Sequence, residues 1–390
     1  MKKTNNKCVM IIAGEASGDL HGARLVNAMR EKNPALSFCG IGGQALRDAG
    51  VKILVDASEL SVVGITEVFS KIPGIFKGIS AAKSCLRNLR PDLLILIDFP
   101  DFNLRIAATA KRLGIPVLYY ISPQIWAWRS GRVKKIGRLV DHMAVILPFE
   151  ASFYRKHKIP VTFVGHPLLD TKSFPQKTVP PSDASDTRYI GLLPGSRDGE
   201  VAKHLPVMLE AAQLLSKQHS DLKFMISLAP SADRQVIEDS ITSHFSLPIS
   251  HFSFTTGSRE IFAKCSFAIA ASGTVTLETA IAGIPMVIIY KVSPVSYRIG
   301  KAMIRVKHIS LVNLIAGRGI VPELIQHEAS PENIANVASG MLACPGELER
   351  LRAELLNIRN MLGGEGASAR VADIAVDMLM DFFQHSDDGP

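Results

Sequence analysis

Short apolar runs alternate with helix-length amphipathic stretches twice over in this chain, and nothing else restricts its fold as severely. The runs at 9–13, 36–41, 93–97, 117–120, 143–147 and 162–164 are rich in Val, Ile, Leu and Tyr, and helical patterns at 20–31, 81–89, 104–113, 133–140 and 151–157 separate most of them. A helix between two strands returns the chain to the same end of the sheet, so the strands lie parallel. The expected unit is a parallel sheet covered on both faces. Ligands of such sheets sit beyond the carboxyl ends of the strands.

The alternation breaks once. Residues 172–187 carry Pro, Ser, Asp and Lys without apolar periodicity, which marks a domain boundary. Strands resume at 189–193, 222–228, 249–254, 267–271 and 286–290, with helices at 200–215, 233–244, 259–264 and from 274 to 282. Helices at 334–342, 348–361 and 371–383 complete the chain. At 390 residues there is room for two cores. The expectation is an α/β protein with a first domain at 1–171, a linker at 172–187, a second similar domain at 188–364 across a cleft, and a C-terminal helix at 365–390 packing back on the first.

Composition narrows the setting. No stretch approaches the roughly 18 apolar residues of a membrane span. Met1-Lys2-Lys3 and the apolar run behind it imitate a signal peptide, but the run meets Glu15 with no cleavage site, so it reads as a first strand. Cysteines at 8, 39, 85, 265 and 344 form no CxxC pair, which fits reduced thiols in the cytoplasm and neither a disulfide frame nor a zinc site. A net charge of +8 suits phosphate esters or anionic lipid, and no nucleic-acid motif accompanies it.

Several strand ends carry chemistry. Gly14-Glu15-Ala16-Ser17-Gly18-Asp19 follows the first run; it is neither G-x-G-x-x-G nor a P-loop, its glycines admit a substrate, Glu15 reads as functional and Asp19 as a helix cap. Asp98 ends a continuously apolar strand, where desolvation raises a carboxylate towards a useful base, or else it is structural. Asp101 and Asn103 read as caps of the next helix. Trp126 and Trp128 beside Arg129 suggest an aromatic-cationic lip for a sugar phosphate or headgroup, with core packing as the alternative. Residues 60–89 are apolar and dotted with Lys; Pro73 and the glycines at 64, 74 and 78 predict a poor continuous helix, either a buried hairpin or a bilayer-facing segment. In the second half, Leu193-Pro194-Gly195-Ser196-Arg197 and Ser272-Gly273-Thr274 each place a glycine and hydroxyls at a helix start, where backbone N–H groups suit a diphosphate. Glu278, on the first turns after the second, can reach a ribose diol or simply face solvent.

These stretches, together with Gly40-Ile41-Gly42-Gly43, Leu147-Pro148-Phe149-Glu150, 164–168 and Asn313-Leu314-Ile315-Ala316-Gly317, resemble the lipid-A-disaccharide synthase family in order from about 9 to 326. The resemblance implies a GT-B glycosyltransferase of two Rossmann-like domains, with UDP-sugar in the C-terminal one and an acylated sugar-phosphate acceptor in the N-terminal one. It implies inverting transfer from UDP-2,3-diacylglucosamine to 2,3-diacylglucosamine 1-phosphate, on the cytoplasmic side of the inner membrane as a peripheral protein, with no cofactor or metal. Asp98 is then the base and Glu15 the second catalytic residue, which with Ser17 orients a sugar; Gly14 meets the substrate, Gly195, Ser196, Arg197, Ser272, Gly273 and Thr274 meet the diphosphate, Glu278 holds the ribose and Asn313 contacts the donor. A homodimer is left open. Rival readings are a UDP-sugar epimerase of related fold and a non-catalytic nucleotide-sugar or lipid-binding module.

Overall fold

The computed structural model describes residues 7–59, 68–128, 130–171, 187–228, 234–244, 247–303 and 306–384. Its elements open with β1 (Cys8–Ala13), α1 (Ala16–Lys32), β2 (Ser37–Gly42), α2 (Gln44–Asp48), β3 (Lys52–Asp56), α3 (Val68–Leu89) and β4 (Leu93–Ile97). Then come α4 (Pro100–Arg112), β5 (Val117–Tyr120), α5 (Ile125–Trp128), α6 (Val133–Leu139), β6 (His142–Val145), α7 (Pro148–Lys156) and β7 (Val161–Phe163). The second series is β8 (Arg188–Leu193), α8 (Asp198–Gln218), β9 (Leu222–Leu228), α9 (Arg234–His244), β10 (Phe252–Thr256), α10 (Arg259–Lys264), β11 (Phe267–Ala271) and α11 (Thr274–Ile281). It continues through β12 (Met286–Tyr290), α12 (Pro294–Met303), α13 (Leu311–Ala316), β13 (Glu323–Ile325), α14 (Pro331–Leu342) and α15 (Pro345–Met361), and α16 (Ala367–Gln384) follows.

One sheet has the order β3-β2-β1-β4-β5-β6-β7 and the other β10-β9-β8-β11-β12-β13, all parallel among the described residues. Each starts in the middle, grows one way, then crosses back over its first strand and grows the other way. That reversal sets β1 beside β4, with Ala13 level with Ile97, and β8 beside β11, with Leu193 level with Ala270. The loops leaving two such neighbours diverge to opposite faces, so a crevice opens between them at the carboxyl ends. Both crevices fall on stretches that carry chemistry in the sequence.

The two faces of the first sheet have separate cores. Met10, Ile12, Leu94, Leu96 and Tyr119 pack with Ile79, Ala82 and Leu86 of α3 and Ile106 and Ala110 of α4. The alternate residues Val9, Ile11, Leu93, Ile95 and Ile97 pack with Val26 and Met29 of α1 and with Val371, Ala375 and Leu379 of α16. Burying each such Val, Leu, Ile or Met side chain contributes about 1.5–3 kcal/mol. Polar bonds seat α16 as well: Asp170 accepts the N–H groups of Gly366 at 2.7 Å and of Ala367 and Ser368 at 3.2 Å, and Arg370 donates to the Val164 carbonyl at 2.8 Å. Contacts accordingly divide the chain into one unit of residues up to Asp170 with those from Leu362 on, and a second of Thr171–Met361. The return falls at Leu362, not at 365, because the Leu362 carbonyl already accepts the His166 N–H at 2.9 Å.

α3 differs from expectation. It runs unbroken through Pro73, Gly74 and Gly78. Ile79, Ala82 and Leu86, three and four apart, form a buried stripe, and burial outweighs weak local propensity. Residues 60–67 of that segment and 172–186 of the linker lie outside the described residues. The unforeseen α2, β3, α5, α13 and β13 have six residues or fewer, too few to display a period, and the ten-residue α12 is unforeseen as well. Among the described residues no helix is long and apolar enough to cross a membrane.

Candidate active site

In the second unit, the turns after β8 and β11 lead directly into α8 and α11, whose N-termini carry partial positive charge. Both turns border one cavity of about 470 Å³. Gly195, Ser196, Arg197, Ser272, Gly273, Thr274 and Glu278 all line it. Gly195 has φ +118°, and a Cβ there would stand 2.7 Å from Glu200 Oε2, so the turn requires glycine. Glu200 braces this loop, accepting the Ser196 N–H at 3.3 Å and Arg197 Nη1 at 3.1 Å. A Cβ on Gly273 would meet nothing within 4 Å, so the space before α11 is open to a ligand. Glu278 accepts the Ser258 hydroxyl at 2.9 Å, and burial holds its carboxyl above the usual range. Ser258 and Tyr290 also line the cavity and were missed in the sequence, although each lies at the carboxyl end of a strand, which is the signal that could have found them.

In the first unit, Asp98 follows β4 and Gly14 follows β1. Asp98 and Phe99 take φ +45° and +46°, left-handed conformations that cost on the order of 1–3 kcal/mol each. Three hydrogen bonds hold the turn. The Asp98 carbonyl accepts Tyr119 Oη and Asn103 Nδ2, both at 2.6 Å, and Asn103 Nδ2 also donates to the Ile97 carbonyl at 3.2 Å. A Cβ on Gly14 would stand 2.4 Å from the Phe99 ring, so glycine here lets the two turns close on each other. Burial first and the nearby Glu15 carboxylate second push the Asp98 carboxyl up to about 6. Glu15 and Ser17 are exposed at the start of α1.

Four polar residues serve the fold in ways the sequence did not disclose. Asp19, buried in α1, accepts the N–H groups of Gly43 at 2.6 Å and Ala45 at 2.9 Å, and so caps α2, not its own helix. Neither Asp101 nor Asn103 caps α4: Pro100 at its first position needs no N–H partner, Asp101 pairs with Arg132 at 2.6 Å, and Asn103 braces the Asp98 turn. Asn313 is buried; its Nδ2 donates to Val321 O at 2.9 Å and Glu323 Oε1 at 2.7 Å, and its Oδ1 accepts from Ile320 at 2.8 Å and Val321 at 3.0 Å. Those four bonds saturate the amide, which fixes its own loop and has no group left over for a donor.

The aromatic lip is also corrected in part. Trp126 Nε1 donates to the buried Glu150 Oε1 at 3.0 Å, and its ring meets Phe149 edge-on, so it is built into the fold. The Trp128 side chain and Arg129 lie outside the described residues. Among the described residues no group of three or more His, Cys, Asp or Glu is placed to hold a metal ion.

Two parallel sheets of matching order, each with a loaded crevice at its reversal point and one crevice suited to a diphosphate, have the make-up of a GT-B fold. MurG of Acinetobacter baumannii shares the fold at TM-score 0.60, 15% identity, over 94% of this chain and 98% of that one. A UDP-GlcNAc 2-epimerase from Neisseria meningitidis, bound to UDP-GlcNAc, does so at TM-score 0.59 and 14% identity, over 96% and 100%. The fold alone therefore does not separate transferase from epimerase; the sequence does. The lipid-A-disaccharide synthase of Geobacter metallireducens is 48% identical over 380 residues, 96% of this chain and 98% of that one. With a match to the lipid-A-disaccharide synthetase family over residues 9–354, the chain belongs to that family and is a glycosyltransferase of lipid A biosynthesis.

Proposed function

We propose that this chain transfers the diacylglucosamine of UDP-2,3-diacylglucosamine to the 6-hydroxyl of 2,3-diacylglucosamine 1-phosphate, giving a β(1→6) disaccharide 1-phosphate and UDP. One displacement accounts for inversion: the 6-oxygen forms a bond to the anomeric carbon, the bond to the UDP oxygen breaks, and the hydroxyl proton passes to Asp98. Glu15 and Ser17 orient the acceptor sugar, and Gly14 gives it room at the backbone. Ser196, Arg197 and the N-terminus of α11 at Ser272, Gly273 and Thr274 offset the charge that builds on UDP. Glu278 holds the ribose hydroxyls. Asn313 contributes by fixing the 320–323 loop.

The observation that carries this reading is the single cavity where Gly195, Ser196 and Arg197 from one segment meet Ser272, Gly273, Thr274 and Glu278 from another. Incubation with both diacylated substrates tests it, following UDP and disaccharide together. Equal amounts of both are expected. UDP without disaccharide means hydrolysis, an epimerised UDP-sugar means the rival enzyme, and binding without turnover means a carrier module; each overturns the proposal. Peripheral association with the cytoplasmic face of the inner membrane is supported by the net charge of +8 and by Phe76 of α3, whose side chain is 60% exposed. Flotation with anionic and neutral liposomes tests that part, and a protein that stays unbound with both overturns it.

A further inference from the structure

Resting on the reading of the second unit's cavity as the donor pocket, we propose that His204 is its positioning residue. The imidazole ties the loop bearing Gly195, Ser196 and Arg197 to the strand end bearing Tyr290. His204 lies on the second turn of α8 and is 2% exposed. Its Nδ1 is 3.1 Å from the Pro194 carbonyl, and its Nε2 is 3.0 Å from the Lys291 amide nitrogen. A carbonyl only accepts and an amide N–H only donates, so the tautomer is fixed: Nδ1 carries the hydrogen and Nε2 accepts. Both ring nitrogens are satisfied only while the imidazole is neutral, and burial lowers its pKa in that direction.

The two partners belong to strands that do not touch. Pro194 leaves β8 and Lys291 leaves β12, and β11 stands between them, so no ladder bond sets the distance between those two loops. The segment after β12 is held from elsewhere as well, because the Gln326 N–H donates to Tyr290 O at 2.8 Å and the Val292 N–H to Gln326 Oε1 at 2.7 Å. With that strand end anchored, His204 sets where the Ser196–Arg197 backbone stands relative to Tyr290, and the turn at Ser272, Gly273 and Thr274 lies on the strand between. The side chain touches no ligand in this scheme. It fixes the width of the gap a diphosphate enters.

Three variants separate the two bonds. His204→Leu fills the volume and loses both; His204→Asn carries an amide donor near Nδ1; His204→Gln carries an acceptor near Nε2. Calorimetry with UDP on the full chain, with KM for donor and acceptor measured separately, is the test. The leucine variant is expected to lose about tenfold in UDP affinity, with a matching rise in donor KM, little change in acceptor KM, and partial recovery in Asn or Gln. Should the leucine variant not fold, the Asn and Gln variants decide by the same readouts. Unchanged UDP affinity in every folded variant overturns the positioning role alone. So does an equal loss on donor and acceptor with no recovery. Absence of UDP binding by the unaltered chain overturns the pocket reading, and this inference with it.

Discussion

Replacing Glu15 with glutamine asks whether the two carboxylates at the first crevice act on each other. The Asp98 carboxyl is raised from 3.8 to about 6, first by burial and next by the Glu15 charge. Glutamine keeps the size and removes the charge, so the second cause disappears and the first remains. The acid limb of kcat/KM should then move below 6 and stay above 3.8. A group titrating at about 6 is roughly one-tenth ionised at about pH 5, so lowering it by about half a pH unit raises the active fraction there on the order of two- to threefold. Absolute rates should fall, because Glu15 is also assigned to the acceptor, so each profile is scaled to its own plateau. The assay is initial UDP release from about pH 4.5 to about pH 8 with acceptor well below saturation. An acid limb that does not move in Glu15→Gln refutes the coupling. Asp98→Asn, expected to lose about 10²–10⁴ in rate, refutes the base assignment if it turns over near wild type. The same ionisation has a stability consequence of definite sign. The folded state binds more protons than the unfolded one between 3.8 and about 6, so Asp98 costs stability as pH rises through that window. Asp98→Asn should therefore melt higher than wild type at neutral pH, and the gap should close as pH falls through the window.

Two glycines of the proposed donor pocket should respond differently to alanine. Gly195→Ala meets a left-handed φ of +118° and the Glu200 side chain at 2.7 Å, so both the melting temperature and UDP affinity should fall, by about 1–3 kcal/mol in stability. Gly273→Ala, with an extended φ of 166° and nothing within 4 Å, should fold within about 0.5 kcal/mol of wild type, yet bind UDP more weakly because its methyl enters the ligand's space. Equal UDP affinity in the folded Gly273→Ala protein would argue that no phosphate lies there. Asn313→Ala strips partners from the Ile320 and Val321 N–H groups and should cost about 2–4 kcal/mol in urea unfolding. An unchanged unfolding midpoint combined with lost donor affinity would restore Asn313 as a ligand contact.

The residues read well from the sequence share one property: their signal is local. A run such as Leu93–Ile97 announces a buried strand by itself, and a carboxylate or a Gly-Ser pair at its end is then at the functional edge of a parallel sheet. What stayed hidden depends on a partner remote in the chain. Asp19 near a helix start looks the same whether it caps that helix or one beginning 25 residues later, and only the packing of α1 against α2 decides. Asn313 looks like a ligand contact until the chain turns back and presents two amides to its oxygen. His204 gives no signal at all, because it sits on a buried helix stripe where an apolar residue would serve packing equally well.

The sheet order explains why local signals nevertheless found both turns that border the pocket. Gly195 and Thr274 are far apart in sequence, but β8 and β11 are the pair that the reversal of strand order brings together, so two turns of the same chemistry become neighbours by topology. The first sheet repeats this with β1 and β4, which puts Gly14 and Glu15 next to Asp98. The outcomes differ because the side chains do. Helix N-termini with hydroxyls and Arg197 make one crevice receptive to negative charge. In the other, burial and a second carboxylate penalise negative charge, and that penalty is what would give Asp98 the strength of a useful proton acceptor in the role proposed for it.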